Sequence, residues 1–252
     1  IAPSPLKSSD LENLIQSYRA AAKRAHAAGF DVVELHAAHG YLLHTFLSPL
    51  SNEGPIEKRM RFPLEVAKAV REAWPAEKPL FVRVSSIDDV EGGWTLDDTS
   101  RFSRELKQAG VDVIDCSSGG ILGSATAATR TLVPRVPGFQ LPFAERVRKE
   151  AGLMTMAVGL ILTPQQAEEA LQAGRADLIA VGREALWDPN WPAHAAQALG
   201  ADPEFERWPV QYGWWLTRRE ALLRKIGVRP QTPEPPRSLR SLPPSQGGNQ
   251  GR

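Results

Sequence analysis

The fold is most evident in "AAGFDVVELHAAHGY", residues 27–41. Gly29 ends a helical pattern, and the apolar run that follows it is short and rich in Val and Leu, as buried strands are. The run closes on three side chains that can exchange protons, namely His36, His39 and Tyr41. A helix, then a buried strand, then a polar strand end is the repeating unit of parallel α/β proteins.

The same unit recurs along the chain. Further strand-like runs lie at residues 79–86, 111–118, 153–159 and 176–182, and helical patterns separate them. Residues 1–5 resemble the end of a sixth strand. We therefore expect an α/β fold of the (β/α)8 TIM-barrel type, with five to six of its eight strands within a barrel domain at residues 1–227. Ligands of such folds bind at the carboxyl ends of the strands.

Three helix starts are marked by capping signals. Ser9 with Glu12 and Thr95 with Asp98 have the spacing of a capping box. The third start, Thr163 with Gln166, is followed at once by a proline. Proline is favoured at the first helical position because its absent N–H needs no partner there.

Composition excludes several classes of protein. The 252 residues are 42% hydrophobic and 23% charged, which is ordinary for a soluble globular chain. The net charge of +1 gives no reason to expect a nucleic acid or a membrane as a partner. The single cysteine, Cys116, excludes an internal disulfide and suits the cytoplasm. Residues 228–252 are rich in Pro, Ser and Gly without apolar periodicity, so we expect a disordered or extended tail.

The histidine pair is open to three interpretations. His36 and His39 could bind a metal with His44 as a third ligand, although no carboxylate or thiolate set accompanies them. They could be structural histidines beside a strand end. They could also hold one substrate oxygen and stabilise negative charge on it, with Tyr41 as the proton donor.

Two other strand ends carry candidate binding groups. Gly182 and Arg183 end one strand and open a helix, an arrangement that suits a phosphate group, and Gly159 ends the strand before. Tight turns alone would also explain these glycines. Arg83 interrupts an apolar strand and needs either a carboxylate, such as Asp112 or Asp115, or an electron-rich ligand.

These motifs together resemble one known family. "ELHAAHGYLLHTFLSPLSN", "LFVRVSS", "DVIDCSSGG", "MAVGLI" and "ADLIAVGREALWDPNWP" are similar to segments of the Old Yellow Enzyme family of FMN-dependent ene-reductases, most of all its bacterial, xenobiotic-reductase-like branch. The resemblance runs from about residue 1 to residue 226. It implies a barrel that binds FMN, with NADPH or NADH as reductant and an α,β-unsaturated carbonyl compound as substrate.

The resemblance also implies roles for single residues. His36 and His39 would bind the substrate's carbonyl oxygen, and Tyr41 would protonate its α-carbon. Tryptophans of "QYGWWLTRR", Trp214 or Trp215, would reach an active site, that of this chain or of a neighbouring subunit. The residues implied in FMN binding are Arg83, near the flavin ring, and Val158, Gly159, Gly182 and Arg183, at the phosphate.

The chain departs from the family pattern at its start. The family's first βα units have no counterpart, so we expect a homo-oligomer or a complementing chain to complete the barrel. Two alternatives stay open. One is a non-enzymatic or assembly-dependent half-barrel, and the other is a flavin-independent isomerase or cyclase that uses the His/His/Tyr group. No membrane or nucleic-acid partner is expected under any of them.

Overall fold

The structure, a computed structural model, describes residues 6–122 and 132–228. The elements of these residues are, in chain order, α1 (Ser8–Ala27), β1 (Val33–Ala37), α2 (Leu42–Leu47), α3 (Ile56–Ala73), β2 (Leu80–Ser85), α4 (Leu96–Gln108), β3 (Val113–Ser117), α5 (Leu141–Ala151), β4 (Met154–Ala157), α6 (Pro164–Gln172), β5 (Leu178–Ile179), α7 (Arg183–Trp187), α8 (Trp191–Ala198) and α9 (Val210–Lys225).

The five strands form one parallel sheet in the order β1-β2-β3-β4-β5. Each strand therefore pairs with the next one along the chain, and at least one helix lies between them in sequence. This is the connection pattern of (β/α) barrels, since doubly wound sheets reverse their strand order at a switch point. The predicted fold class is confirmed with five strands. The predicted sixth strand, at residues 1–5, and the tail from residue 229 lie outside the described residues.

The two faces of the sheet carry different types of residue. One face is buried core and consists of Leu35, Ala37, Leu80, Val82, Val84, Ile114, Cys116 and Ala157. Burial raises the pKa of the Cys116 thiol, so this cysteine is an inert core residue. The opposite face carries a row of residues in register across all five strands: His36, Arg83, Asp115, Met156 and Leu178.

Two of the three predicted helix caps are confirmed. The Asp98 N–H donates to Thr95 Oγ1 at 3.2 Å, and the Thr95 N–H donates to Asp98 Oδ2 at 3.0 Å. At α6, the Gln166 N–H donates to Thr163 Oγ1 at 3.2 Å.

The predicted Ser9–Glu12 capping box is wrong. Helix α1 begins at Ser8. The Lys7 N–H instead donates to Asp10 Oδ2 at 2.7 Å, because Asp10 stands three residues after Lys7 and its short side chain reaches back to that free donor.

Helix α3 begins earlier than its apolar pattern indicates. The pattern predicts a helix from residue 62, whereas the helix runs from Ile56 and contains Pro63. Pro63 removes one backbone donor, and it is buried together with Phe62 and Met60 on the core face. Burial of that face therefore outweighs the local preference of proline against a helix interior.

The described residues divide into two compact units. Those within Ile1–Ile161 and Ala173–Val181 form the first unit, and those within Leu162–Gln172 and Gly182–Arg252 form the second. The first unit contains the whole sheet with α1 to α5, whereas the second contains α6 to α9. The single barrel domain predicted for residues 1–227 stays a prediction. Within residues 6–122 and 132–228, no helix has both the length and the hydropathy that a membrane crossing requires.

Candidate active site

The structure brings the two predicted histidines and the tyrosine together. His36 lies on β1, His39 lies in the turn that follows, and Tyr41 immediately precedes α2. The ring centroid of His36 is 5.1 Å from that of His39 and 5.2 Å from that of Tyr41. Tyr41 is 64% exposed, so its phenol is open to a ligand.

His39 is held by two neighbouring strands. Its backbone N–H donates to Ser85 Oγ at 2.9 Å, and its ring Nε2 lies 2.7 Å from Ser117 Oγ. Ser85 and Ser117 are the last residues of β2 and β3. The φ of His39 is +59°, a left-handed conformation that few residues other than glycine adopt. The ends of three strands thus fix a strained histidine, as is common where a side chain must be aimed.

The surroundings of both histidines favour their neutral forms. Burial, reinforced by the positive charge of Arg83, lowers the pKa of His36. Burial and, after it, the positive charge of Arg83 lower the pKa of His39 to about 4. A neutral imidazole has one N–H donor and one acceptor nitrogen. If Ser117 donates to Nε2 of His39, the Nδ1–H of that ring is free to donate to a ligand.

Arg83 has a carboxylate partner on the next strand. Arg83 Nε lies 3.2 Å from Asp115 Oδ2, and the Asp115 side chain is almost fully buried. Asp112, the other candidate, instead accepts from the Leu80 N–H at 2.8 Å and lies near Arg71. Burial raises the pKa of Asp115 to about 7, with Arg83 opposing this effect and Glu34 adding to it. The pair places a cation beside His36, which is the partner of Arg83 in the register of β1 on β2.

Both ring nitrogens of His44 lie close to other groups of the protein. Its Nδ1 accepts from the Gly40 N–H at 2.8 Å, and its Nε2 lies 2.8 Å from Asp88 Oδ1. Both ring nitrogens are therefore engaged, which leaves His36 and His39 as a pair. Within the described part of the chain, no group of three or more His, Cys, Asp or Glu side chains is arranged to hold a metal ion.

The predicted phosphate residues after β4 are packed against a glutamine that the sequence did not single out. Gln140 Nε2 donates to the Val158 carbonyl at 3.1 Å, and Gln140 Oε1 accepts from Ser118 Oγ at 2.6 Å. A Cβ on Gly159 would lie 2.9 Å from Gln140 Nε2, and the φ of Gly159 is +117°, so only glycine fits. Gln140 stands alone before α5 with no motif around it, so local sequence gave no signal.

The other predicted binding residues belong to the second unit. Gly182 directly precedes α7, and a Cβ built on it would meet no atom within 4 Å. Trp214 and Trp215 are exposed residues of α9, and the guanidinium carbon of Arg218 lies 3.4 Å from the ring centroid of Trp214. The joint phosphate site of Val158, Gly159, Gly182 and Arg183, and the reach of the tryptophans into an active site, stay predictions.

The parallel strands follow one another in chain order, and the histidine pair, the tyrosine and the arginine lie at one end of them. These features define a barrel-type α/β protein with a polar site at its strand ends. The chain belongs to the NADH:flavin oxidoreductase / NADH oxidase family, whose sequence model matches residues 2–202. This confirms the predicted membership of the Old Yellow Enzyme family.

Curated relatives and solved structures agree with this assignment. The chain is 46% identical over 220 residues to an NADPH dehydrogenase of Geobacillus thermodenitrificans, covering 84% of this chain and 61% of the relative. It is 43% identical to an NADPH dehydrogenase of Bacillus subtilis, covering 84% of this chain and 62% of the relative. The solved structure of morphinone reductase matches with a TM-score of 0.62 and 28% identity, covering 77% of this chain and 51% of that chain.

A second solved structure, 2-naphthoyl-CoA reductase with 2-naphthoyl-CoA, matches with a TM-score of 0.69 and 27% identity, covering 75% of this chain and 29% of that chain. The chain thus spans about three fifths of the length of the curated relatives, 61% and 62% for the two above.

Proposed function

We propose that this chain carries the substrate site of an FMN-dependent oxidoreductase that reduces the C=C bond of α,β-unsaturated carbonyl compounds with NADPH or NADH. Family membership and relatives named NADPH dehydrogenases support the redox class. The observation that carries the finer proposal is the geometry of His36 and His39, whose rings lie 5.1 Å apart beside the exposed phenol of Tyr41.

The histidines would hold the carbonyl oxygen of the substrate. Two N–H donors directed at one oxygen polarise the carbonyl group and stabilise the negative charge that develops there during reduction. Neutral rings suit this role because they remain hydrogen-bond donors without giving up a full proton to the oxygen. Tyr41 would then deliver the proton to the α-carbon, since its phenol is a donor within reach of the same ring cluster.

FMN would be held by the predicted cofactor residues. Gly182 stands before a helix with free space around it, as a phosphate group requires, and the backbone of Val158 and Gly159 would add further contacts to FMN. Arg183 would add a guanidinium to the phosphate and Arg83 another near the flavin ring. FMN, when bound, would supply the hydride that adds to the β-carbon, with NADPH or NADH restoring its reduced form.

The partner proposal rests on the edges of the sheet. Within the described residues, β1 pairs only with β2 and β5 only with β4. A closed barrel has no unpaired edge, and open edges favour association. We expect further strands to cover these edges, from a second copy or from a complementing chain. Light scattering separates the two, because self-association raises the molar mass of the purified chain to a multiple of its own.

The test of the proposed function is a two-step reaction without oxygen. The chain is loaded with FMN, reduced with NADPH, and then mixed with cyclohexenone. Return of the oxidised flavin spectrum, with saturated ketone as the product, is the expected result. A reduced spectrum that persists would contradict enone reduction. Conversion of the enone without FMN would favour the isomerase or cyclase alternative.

A further inference from the structure

A buried histidine–aspartate pair lies directly behind the candidate active site. His44, on α2, and Asp88, in the loop after β2, are both less than 3% exposed. His44 Nε2 lies 2.8 Å from Asp88 Oδ1. Neither residue belongs to the group proposed to touch substrate or FMN. A buried pair of this kind is costly unless both partners are satisfied, so its surroundings indicate what it does.

The hydrogen bonds around the pair indicate which atoms of His44 and Asp88 carry a proton. The Gly40 N–H donates to His44 Nδ1 at 2.8 Å, so that nitrogen carries no proton and the proton of the neutral ring sits on Nε2, facing Asp88. Asp88 Oδ2 accepts from Ser48 Oγ and from the Trp94 N–H, each at 2.6 Å. Burial alone would raise the pKa of Asp88, but the hydrogen bonds from His44, Ser48 and Trp94 together hold it below its ordinary value.

The donor that His44 holds is the peptide N–H between His39 and Tyr41. His39 and Gly40 are consecutive left-handed residues, with φ of +59° and +76°. Such a turn is strained for a non-glycine residue and persists where the surroundings fix it. Ser85 fixes the turn from one side, through the His39 N–H. His44, held by Asp88, fixes it from the other.

We propose that His44 and Asp88 are positioning residues for carbonyl binding and protonation. By holding the Gly40 N–H, His44 keeps the His39 ring and the Tyr41 phenol directed at one substrate, and Asp88 keeps His44 in the tautomer that can accept. This proposal rests on the proposed enone reduction for its chemistry. Its structural part, the control of the Gly40 turn, is tested without FMN.

The structural test is hydrogen exchange of the Gly40 amide in the full chain. His44→Leu removes the acceptor while filling a similar volume, and we expect Gly40 to exchange about tenfold faster, as for the loss of one good hydrogen bond. His44→Asn can offer its side-chain oxygen to the Gly40 N–H, so it should restore slow exchange. If His44→Leu does not fold, Asp88→Asn replaces it and should speed Gly40 exchange in the same direction.

Thr99→Val is the matched control. Thr99 Oγ1 is buried in the same region, donates to the Ser86 carbonyl and accepts from Trp94 Nε1, but makes no bond to the Gly40 turn. Thr99→Val therefore removes buried hydrogen bonds that do not involve the turn. The rate of Gly40 exchange, divided by that of the β3 strand amides, should stay the same as in the parent chain. Equal acceleration in both variants, or none in His44→Leu, would overturn the positioning role.

The functional test uses the two half-reactions of the FMN-loaded chain. His44→Leu should slow reoxidation by cyclohexenone about tenfold or more, with reduction by NADPH changed less than about twofold, and His44→Asn should recover most of the loss. Equal slowing of both half-reactions would mark His44 as merely structural and overturn the proposal. If the parent chain itself does not react with the enone, the proposed function fails, and the Gly40 exchange result shows separately whether His44 controls the turn.

Discussion

Gly40 and Gly120, in the loops after β1 and β3, are in direct backbone contact. A Cβ on Gly40 would lie 2.4 Å from the carbonyl oxygen of Gly120, and a Cβ on Gly120 would lie 2.5 Å from the Cα of His39. Both glycines have positive φ, +76° and +100°. The two loops can approach so closely only because neither residue has a side chain, and this approach brings Ser117 to the His39 ring.

Gly120→Ala should therefore destabilise the fold by more than about 2 kcal/mol, because it adds a backbone clash to the strain of a positive φ. Gly29→Ala is the matched control, since Gly29 has a φ of +85° and no atom within 4 Å of its Cβ position. Strain alone should cost that variant about 1 kcal/mol. Urea unfolding measures both values, and equal losses in the two variants would show that the contact of the loops is unimportant.

Asp115 should make stability depend on pH. Its pKa in the folded chain is about 7, above an unfolded value of about 4. The protonated form is therefore favoured by the fold, and the stability it contributes is complete below about pH 4 and lost as the pH rises through about 7. Asp115→Asn mimics the protonated form at every pH.

Asp115→Asn should thus gain stability relative to the parent, on the order of 3 kcal/mol, as the pH rises from about 4 to about 8. Urea unfolding at several pH values gives this difference, and the contribution of His39 cancels because it is present in both proteins. A difference that does not change with pH would mean that Asp115 is ionised throughout and paired with Arg83.

Local sequence patterns predicted the elements that show an apolar period and the site residues that are adjacent in the sequence. The five strands and the polar residues at their ends follow from short apolar runs, and His36, His39 and Tyr41 lie within six positions of one another. The contacts that hold these residues in place do not follow from local patterns. Ser117 meets His39 across 78 positions, and Asp88 meets His44 across 44, so no window of sequence links them.

Other features were hidden for different physical reasons. Arg83 had two candidate carboxylates, and only the register of β2 on β3 places Asp115, rather than Asp112, beside it. Helix α2 is six residues long, too short for an apolar period to show. The start of α1 was predicted wrongly because Ser9 is of a residue type that commonly caps helices, whereas the N-cap is Lys7, whose N–H donates to Asp10 Oδ2.

Tyr41→Phe should separate the two half-reactions of the FMN-loaded chain. Loss of the proposed proton donor should slow reoxidation by cyclohexenone about 100-fold, within the usual range for general acid catalysis, and leave reduction by NADPH nearly unchanged. Tyr18→Phe, on α1 and outside the ring cluster, is the control and should change neither step. Stopped-flow absorbance follows both steps, and an equal effect of Tyr41→Phe on both would exclude the proton-donor role.

His36→Ala and His39→Ala should each weaken the binding of a phenol to the FMN-loaded chain about tenfold, because each removes one hydrogen-bond donor from the phenol oxygen. Titration of the flavin spectrum with the phenol measures this affinity. His26→Ala removes a histidine of α1 that packs on Trp74 and should leave the affinity unchanged. Unchanged affinity in both active-site variants would refute the carbonyl-binding role of the pair.

The most direct measurement is a titration of the purified chain with FMN, followed by visible absorption. We expect saturable binding with a shifted flavin spectrum, weakened in Arg183→Ala, and a further spectral change on addition of a phenol that needs a higher phenol concentration in His39→Ala. A flavin spectrum identical to that of free FMN at every protein concentration would contradict the proposal that this chain binds FMN.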